Sequence, residues 1–203
     1  MNETELAEFI RTDLWFDSKD FHWMLYGLAR GYARRFPGMR VLEIGTREGS
    51  TAVPLLAGIQ AGSFGEAGKL VSVDNDTDIK GHVVEVARVR VANAGLGHLW
   101  ELHLADSHAW ESPYPDYLII FIDGDHSYWA VKADFEKYSK MLAPNGIILM
   151  HDAQSFDDVR KFIQEVNLGD WMASVIPIDN GLAVINRRSD WVSNLPYQEN
   201  YKW

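Results

Sequence analysis

The sequence predicts a single α/β domain whose doubly wound, mostly parallel sheet of seven strands finishes in an antiparallel hairpin. Three observations carry that prediction. Short apolar runs alternate with segments of helical period, the pattern of a parallel sheet covered on both faces. Glycines and aspartates follow those runs, at the strand ends where open α/β sheets bind ligands. The last two apolar runs, WMASVIPI and LAVINRR, are joined through Asp179-Asn180-Gly181, and Asn-Gly between apolar runs is a strong hairpin signal.

The elements follow in order along the 203 residues, read as one domain. Residues 1–38 form an N-terminal helical extension. Leu6, Phe9 and Ile10 share one helical face, and a second helix runs from Asp20 to Phe36 with Phe21, Met24, Leu25 and Leu28 as its apolar stripe. Pro37-Gly38 ends it. The α/β core spans 39–188, with strands at 39–45, 69–74, 99–106, 116–123 and 146–152. Helices at 50–61, 78–94, 127–144 and 156–167 connect them, the third carrying Val131, Phe135, Tyr138 and Leu142 at helical spacing. Residues 62–68 (GSFGEAG) form a surface loop, and 171–178 with 182–188 make the hairpin. The tail, 189–203, is rich in Trp and Tyr and is expected to pack on the body or on a second subunit, as in a homodimer.

Composition narrows the function. A charge of −10, with 29 acidic against 19 basic residues, argues against a nucleic-acid substrate. Arg30, Arg34, Arg35 and Arg40 cluster in sequence, but on a helix such a group reads as a solvated face. No run reaches the roughly 18 apolar residues of a membrane span, and the acidic N-terminus lacks the features of a signal peptide. Cysteine is absent, which removes disulfides, thiolate metal sites and thiol nucleophiles. A cytoplasmic protein is expected.

The strand ends carry the chemistry. After the first strand, Gly45 and Gly49 permit a tight turn and close approach of a ligand, or simply a strand-to-helix turn; Ser50 or Thr51 is placed to cap the following helix. Asp74, ending the second strand, can take both hydroxyls of a ribose, or one of Asp74, Asp76 and Asp78 can cap a helix. Asp106-Ser107, after the third, suits an adenine amino group. The succession VLEIGTREGST, VSVD, LAD, FIDGDHSY and LAPNGIILMHD resembles the class I S-adenosylmethionine (SAM) dependent methyltransferases over residues 39–190, and implies their Rossmann-like fold. By that resemblance Gly45 and Gly49 face the methionine part of SAM, Asp74 the ribose, and Asp106 and Ser107 the adenine. Glu43 braces the glycine loop, and Thr46, Ser50, Asn75 and Asp123 complete the cofactor set. His108 or Trp110 flanks the adenine ring or is simple packing.

FIDGDHSY and LMHDA further resemble the metal-assisted O-methyltransferases, both the catechol type and the macrocin type that act on sugar hydroxyls. The resemblance implies a divalent cation, Mg²⁺ by the hardness of carboxylate oxygens, held by Asp123 and Asp152. It also makes His126 the general base, one helical turn beyond Asp123 if the helix opens there. The catechol type has Asn where this chain has Ala153, and the macrocin type offers an acidic ligand where it has His151. The metal shell is then Asp123, Asp152 and His151, or the two carboxylates alone. Asp125 reads as a helix cap. The implied partner is a small-molecule hydroxyl acceptor, apolar or glycosylated if Trp15, Phe16, Phe21 and Trp23 line its site rather than the core or a dimer interface. Two other readings compete: an NAD-linked oxidoreductase, which would carry Gly-x-Gly-x-x-Gly instead of Gly45-x-x-x-Gly49, and a methyltransferase-like binding protein without turnover.

Overall fold

Val41 and Leu42, Leu70 and Val71, and Ile119 to Phe121 are completely shielded from water, as strands covered on both faces require. The structure, a computed structural model, describes residues 2–12, 19–77 and 83–193. Its strands are β1 (Arg40–Ile44), β2 (Lys69–Asp74), β3 (Trp100–Leu104), β4 (Tyr117–Ile122), β5 (Leu142–Met150), β6 (Trp171–Ile176) and β7 (Leu182–Arg187). They form one sheet in the order β3-β2-β1-β4-β5-β7-β6. The pairings among β1 to β5 are parallel, and β7 is antiparallel to both β5 and β6. The chain order reverses between β1 and β4, so the carboxyl ends of those strands open onto a crevice.

Helices cover both faces. Apolar residues of α1 (Glu3–Thr12), α2 (Lys19–Arg35), α3 (Ala52–Gly62) and α4 (Val83–Asn93) join one core, and those of α5 (Tyr128–Tyr138) and α6 (Asp157–Val166) the other. A short α7 (Arg188–Ser193) follows the hairpin. Among the described residues no helix is long and apolar enough to cross a membrane. Two of the four clustered arginines are paired with carboxylates and two lie over aromatic rings. Arg30 pairs with Glu3 at 2.8 Å and Arg40 with Asp116 at 3.1 Å, while Arg34 and Arg35 lie over the rings of Phe64 and Phe36.

Two expectations need correction. The helix expected over 127–144 stops at Tyr138, a 3₁₀ turn follows at Ser139–Met141, and Leu142 opens β5. Pro144 cannot sit inside a helix, and Asn145, at φ 64°, kinks the strand where the β4–β5 register shifts. Leu142 is buried in either arrangement, so its spacing could not reveal the switch. In α2 the buried face is Phe21, His22, Leu25, Tyr26, Ala29 and Ala33, leaving Met24 and Leu28 at its margin.

That face follows from how closely α3 approaches. A Cβ on Gly58 would lie 2.4 Å from the Tyr26 carbonyl oxygen, and one on Gly62 2.3 Å from that of Arg30. Gly58→Ala is therefore expected to cost about 1–3 kcal/mol, since backbone cannot yield as a side chain would. Gly27→Ala, with open space around it, should instead stabilise α2 by about 0.5–1 kcal/mol. Thermal unfolding of the two variants checks the contrast, and a neutral Gly58→Ala would refute the close contact.

Candidate active site

The site begins with the loop joining β1 to α3. Gly45 (φ 84°) and Gly49 (φ 78°) both hold left-handed backbone that favours glycine. Their surroundings add a second constraint. A Cβ at Gly45 would be 2.2 Å from the Asp123 carbonyl oxygen, and one at Gly49 would be 2.9 Å from Ala87 Cβ on α4. The glycines thus let the loop lie against the end of β4 and against α4. Asp74 clamps the same loop, its Oδ2 accepting the amides of Thr46 (2.9 Å) and Arg47 (2.8 Å), while its Oδ1 accepts the Asp76 amide (2.7 Å) in the turn after β2. Asp76, not Asp74, accepts an amide of the first turn of α4, from Val84 at 3.3 Å. Asp78 lies outside the described residues.

Glu43 is wholly buried beneath the loop and accepts the hydroxyls of Thr51 and Ser72, each at 2.5 Å. Ser72 in turn accepts from Trp100 Nε1 at 2.8 Å. Burial pushes the Glu43 carboxyl up to about 7 against the pull of those hydroxyls. With its hydroxyl committed to Glu43, Thr51 does not cap α3, although it occupies the N-cap position. Pro54, third in the helix, offers no N–H for a cap to accept.

Beside this loop lies a cavity of about 530 Å³ at the carboxyl ends of β1, β2 and β3, lined by Gly45, Asp74, Asn75, Asp106, Ser107 and Asp123 among others. Asp134, on α5, also lines it, and sequence reasoning missed it. The signal was available: an aspartate on the buried stripe of Ala130, Val131, Phe135 and Tyr138. Only 2% of Asp134 is exposed, burial raises its pKa, and it accepts the Ser107 hydroxyl at 2.7 Å. Tyr138 and Lys137 donate to the Ser107 carbonyl, so α5 fixes the loop after β3. Trp110 packs against His103, the rings tilted with centroids 5.0 Å apart, whereas His108 lines the cavity.

A second cavity of about 360 Å³ shares Gly45, Arg47, Asp123 and Gly124 with the first, and adds Thr46, Ser50, His126, His151 and Asp152. Because β4 and β5 pair in parallel, the residues that follow them meet at one sheet edge. His126 Nε2 is 2.8 Å from Asp152 Oδ2 and 3.5 Å from Asp123 Oδ1. His151 Nδ1 is 3.3 Å from Asp123 Oδ1 and 3.4 Å from Asp152 Oδ2. Its other nitrogen lies 3.2 Å from Asp179 Oδ2, and its ring stacks on Phe21 at 4.6 Å. Burial works against charge on both histidines, but Asp123 and Asp152 outweigh it, holding His126 at about 9 and His151 at about 11. Burial likewise opposes charge on Asp152, yet the two imidazoles hold it well below the usual carboxylate range.

The helix does not open at His126, so helical spacing is not what brings it to Asp123. The helix α5 starts at Tyr128, and the loop 124–127 carries His126 to Asp123, shaped by Asp125, which accepts the Ser127 amide at 2.7 Å. The ring of His126 stacks on Phe156 at 4.3 Å. Asp179 and Asn180 were read only as turn residues. The amides of Ala153 and Gln154 bond the carbonyls of Gly181 and Asn180 at 3.0 and 2.9 Å, which swings the hairpin turn against the site. Of the expected residues, Glu43 lies beneath the loop and Gly49 packs on α4, lining neither cavity; the others line one or both. Of the aromatics proposed for the acceptor, Phe21 is buried core, Trp23 packs edge-on against Tyr26, and Trp15 and Phe16 lie outside the described residues.

The donor set fits a cation. Asp123, His126 and Asp152 bring one donor atom each within 4.8 Å of one another. Donors about 2.1 Å from one hexacoordinate ion lie about 3 Å apart at adjacent positions, and His126 Nε2 lies 2.8 and 3.5 Å from its two carboxylate partners. His126 Nε2 is buried and makes no aligned hydrogen bond despite its nearness to Asp152, as expected of a nitrogen aimed between the carboxylates.

Several solved structures share this architecture. An O-methyltransferase from Bacillus cereus in complex with SAH matches with a TM-score of 0.68 at 17% identity, over 93% of this chain and 92% of that one. The SAH-bound methyltransferase PaMTH1 of Podospora anserina matches at 0.67 and 17% identity, over 93% and 89%. TomG of Streptomyces achromogenes, an O-methyltransferase involved in tomaymycin synthesis and solved with SAM, matches at 0.65 and 21% identity, over 92% and 90%. At these identities the likeness speaks for the fold. No curated protein matches the sequence. The methyltransferase domain family matches residues 42–153, more than half of the chain and most of the sheet. The chain thus belongs to the methyltransferase-domain family, with the fold of the class I SAM-dependent enzymes.

Proposed function

We propose that this methyltransferase acts on a hydroxyl oxygen of a small molecule or sugar, with a divalent cation held at Asp123 and Asp152. The carrying observation is the convergence of two carboxylates and two imidazoles where the cavities join. SAM lies with its ribose against Asp74, its adenine near Asp106 and Ser107, and its methionine part along Gly45, Thr46 and Ser50. The adjoining cavity receives the acceptor. Likeness to two solved O-methyltransferases supports the choice of oxygen as acceptor atom. An NAD-linked reading finds no support in the family match.

The residues divide the work. The glycine loop and the Asp74 clamp orient the donor, and SAM is already activated, so alignment of the two reactants is the main task. Asp123 and Asp152 would hold the cation, with His151, whose Nδ1 lies 3.3 and 3.4 Å from them, as third ligand. Its far nitrogen rests on Asp179, the carboxylate–histidine arrangement that orients metal ligands. When bound, the cation would lower the pKa of an acceptor hydroxyl. His126, at the cavity mouth, takes that proton. A second reading, in which His126 is itself a ligand, is favoured by its 2.8 Å approach to Asp152.

Calorimetry with SAM tests the donor assignment. Asp74→Asn is expected to weaken SAM binding about ten- to a hundredfold, the loss of about 1.5–3 kcal/mol from a charge-assisted contact. Unchanged affinity would move the ribose elsewhere. In thermal shift, SAM at a hundredfold excess over its Kd should add about 2.7 kcal/mol. Stabilisation by NAD⁺ in its place would overturn the reading.

A further inference from the structure

The loop after β3 contains a polarity that the cofactor reading does not need but that bears on what the site selects. Ser107 lines the larger cavity. A serine hydroxyl carries one proton and two lone pairs, and in the open it rotates to serve donors and acceptors alike. Here its proton is committed to Asp134 Oδ1 at 2.7 Å. The Asp134 side chain is 3% exposed and cannot turn to water, and His108 Nε2 lies 3.5 Å from the same oxygen. The serine itself is pinned, because Tyr138 and Lys137 both donate to its carbonyl. What remains on the cavity side of Ser107 Oγ is acceptor capacity alone.

Asp106 does not reproduce this arrangement. Its side chain is 63% exposed, and one oxygen accepts the His108 amide at 2.9 Å within its own loop. Water competes for whatever such a group contributes.

We propose that Asp134 is a specificity-determining residue that, by holding the Ser107 proton, makes the purine pocket select a 6-amino purine and reject a 6-oxo purine. Asp134 acts through Ser107 and is a positioning residue. This rests on the assignment of the larger cavity to the nucleoside of SAM. Adenine presents an exocyclic N–H that an acceptor satisfies. Hypoxanthine presents a carbonyl oxygen there, which would face lone pairs with no proton to share. A site built to hydrogen-bond one partner discriminates strongly against the analogue that leaves its groups unpaired.

Titration calorimetry with SAH and S-inosylhomocysteine, its 6-oxo counterpart, tests the proposal on the wild type, Asp134→Asn, Ser107→Ala and Asp106→Asn. The wild type should prefer SAH by at least about tenfold, the scale of one good hydrogen bond. Asp134→Asn offers an amide N–H as well as a carbonyl, so Ser107 can turn its proton to the cavity, and the preference should fall to within about threefold. Ser107→Ala should erase the preference too, and keeps the test decisive if Asp134→Asn does not fold. Asp106→Asn should retain it. Undiminished preference in Asp134→Asn or in Ser107→Ala would overturn the proposal, as would its loss in Asp106→Asn alone. A wild type that binds neither nucleoside would instead overturn the assignment of the cavity to SAM.

Discussion

Removal of divalent cations with EDTA is expected to abolish methyl transfer while leaving SAM affinity nearly unchanged. The reason is electrostatic. Asp123 and Asp152 stand within 4.8 Å of each other at one sheet edge, and two carboxylates so placed repel unless positive charge lies between them. In the metal-free chain His126 and His151 supply that charge as imidazolium ions, so the fold and the donor cavity survive chelation. Release of SAH over a panel of catechol and sugar hydroxyl acceptors measures turnover, and calorimetry measures the metal. Mn²⁺ should restore activity at lower concentration than Mg²⁺, because imidazole donors suit the transition metal better than the harder ion. Asp179→Asn, which changes the partner of the far His151 nitrogen, should weaken Mn²⁺ binding about 10–100-fold, as loss of an outer partner does. Asp152→Asn should weaken it further. Full turnover in a demetallated sample would leave Asp123 and Asp152 as charge partners of two histidines and nothing more.

His126→Ala is expected to lower turnover by about 10²–10⁴-fold, the range for losing a general base, with SAM affinity and, in the presence of Mn²⁺, thermal stability close to wild type. Its imidazole is held near 9 by the two carboxylates. With those carboxylates neutralised it falls back toward about 6.5, where it can accept a proton at neutral pH. The ring rests on Phe156 at the cavity mouth, so truncation removes little from the core. The competing ligand reading has its own signature: Mn²⁺ affinity falls together with turnover, and saturating Mn²⁺ recovers part of the rate. The base reading leaves Mn²⁺ affinity intact. If His151 substitutes as base, His126→Ala/His151→Ala falls well below either single variant. Nearly normal turnover with lowered stability would make His126 a structural residue.

The reach of the sequence differed from element to element for physical reasons. Strands 2 and 4 were legible almost to the residue, because two-sided burial writes itself as a mainly apolar run, broken in β2 by Ser72 alone, with polar residues flanking it. The start of β5 was not. Leu142 and Ala143 fit a helical stripe as well as a strand, and only the pairing of Leu142 with Tyr117 separates the two. The glycine turn was legible as a turn, but its glycines answer to Asp123 and Ala87, neighbours distant in the chain. Asp74 stood out at its strand end, yet it reaches the amides of Thr46 and Arg47 only because β1 and β2 pair in parallel.

By itself the sequence determined the fold class, the placing of Asp74, Asp106, Asp123 and Asp152 at the carboxyl ends of strands, and the closing hairpin. These follow from local period and turn chemistry, which each segment expresses without its neighbours. Tertiary structure alone decided that His126 and His151 both meet one pair of carboxylates, that Asp179 backs His151, and that Asp134 holds Ser107. Such meetings depend on strand order and on how loops close over the sheet edge. A hairpin turn reads the same in sequence whether its aspartate faces water or, as Asp179 does here, a histidine from another strand.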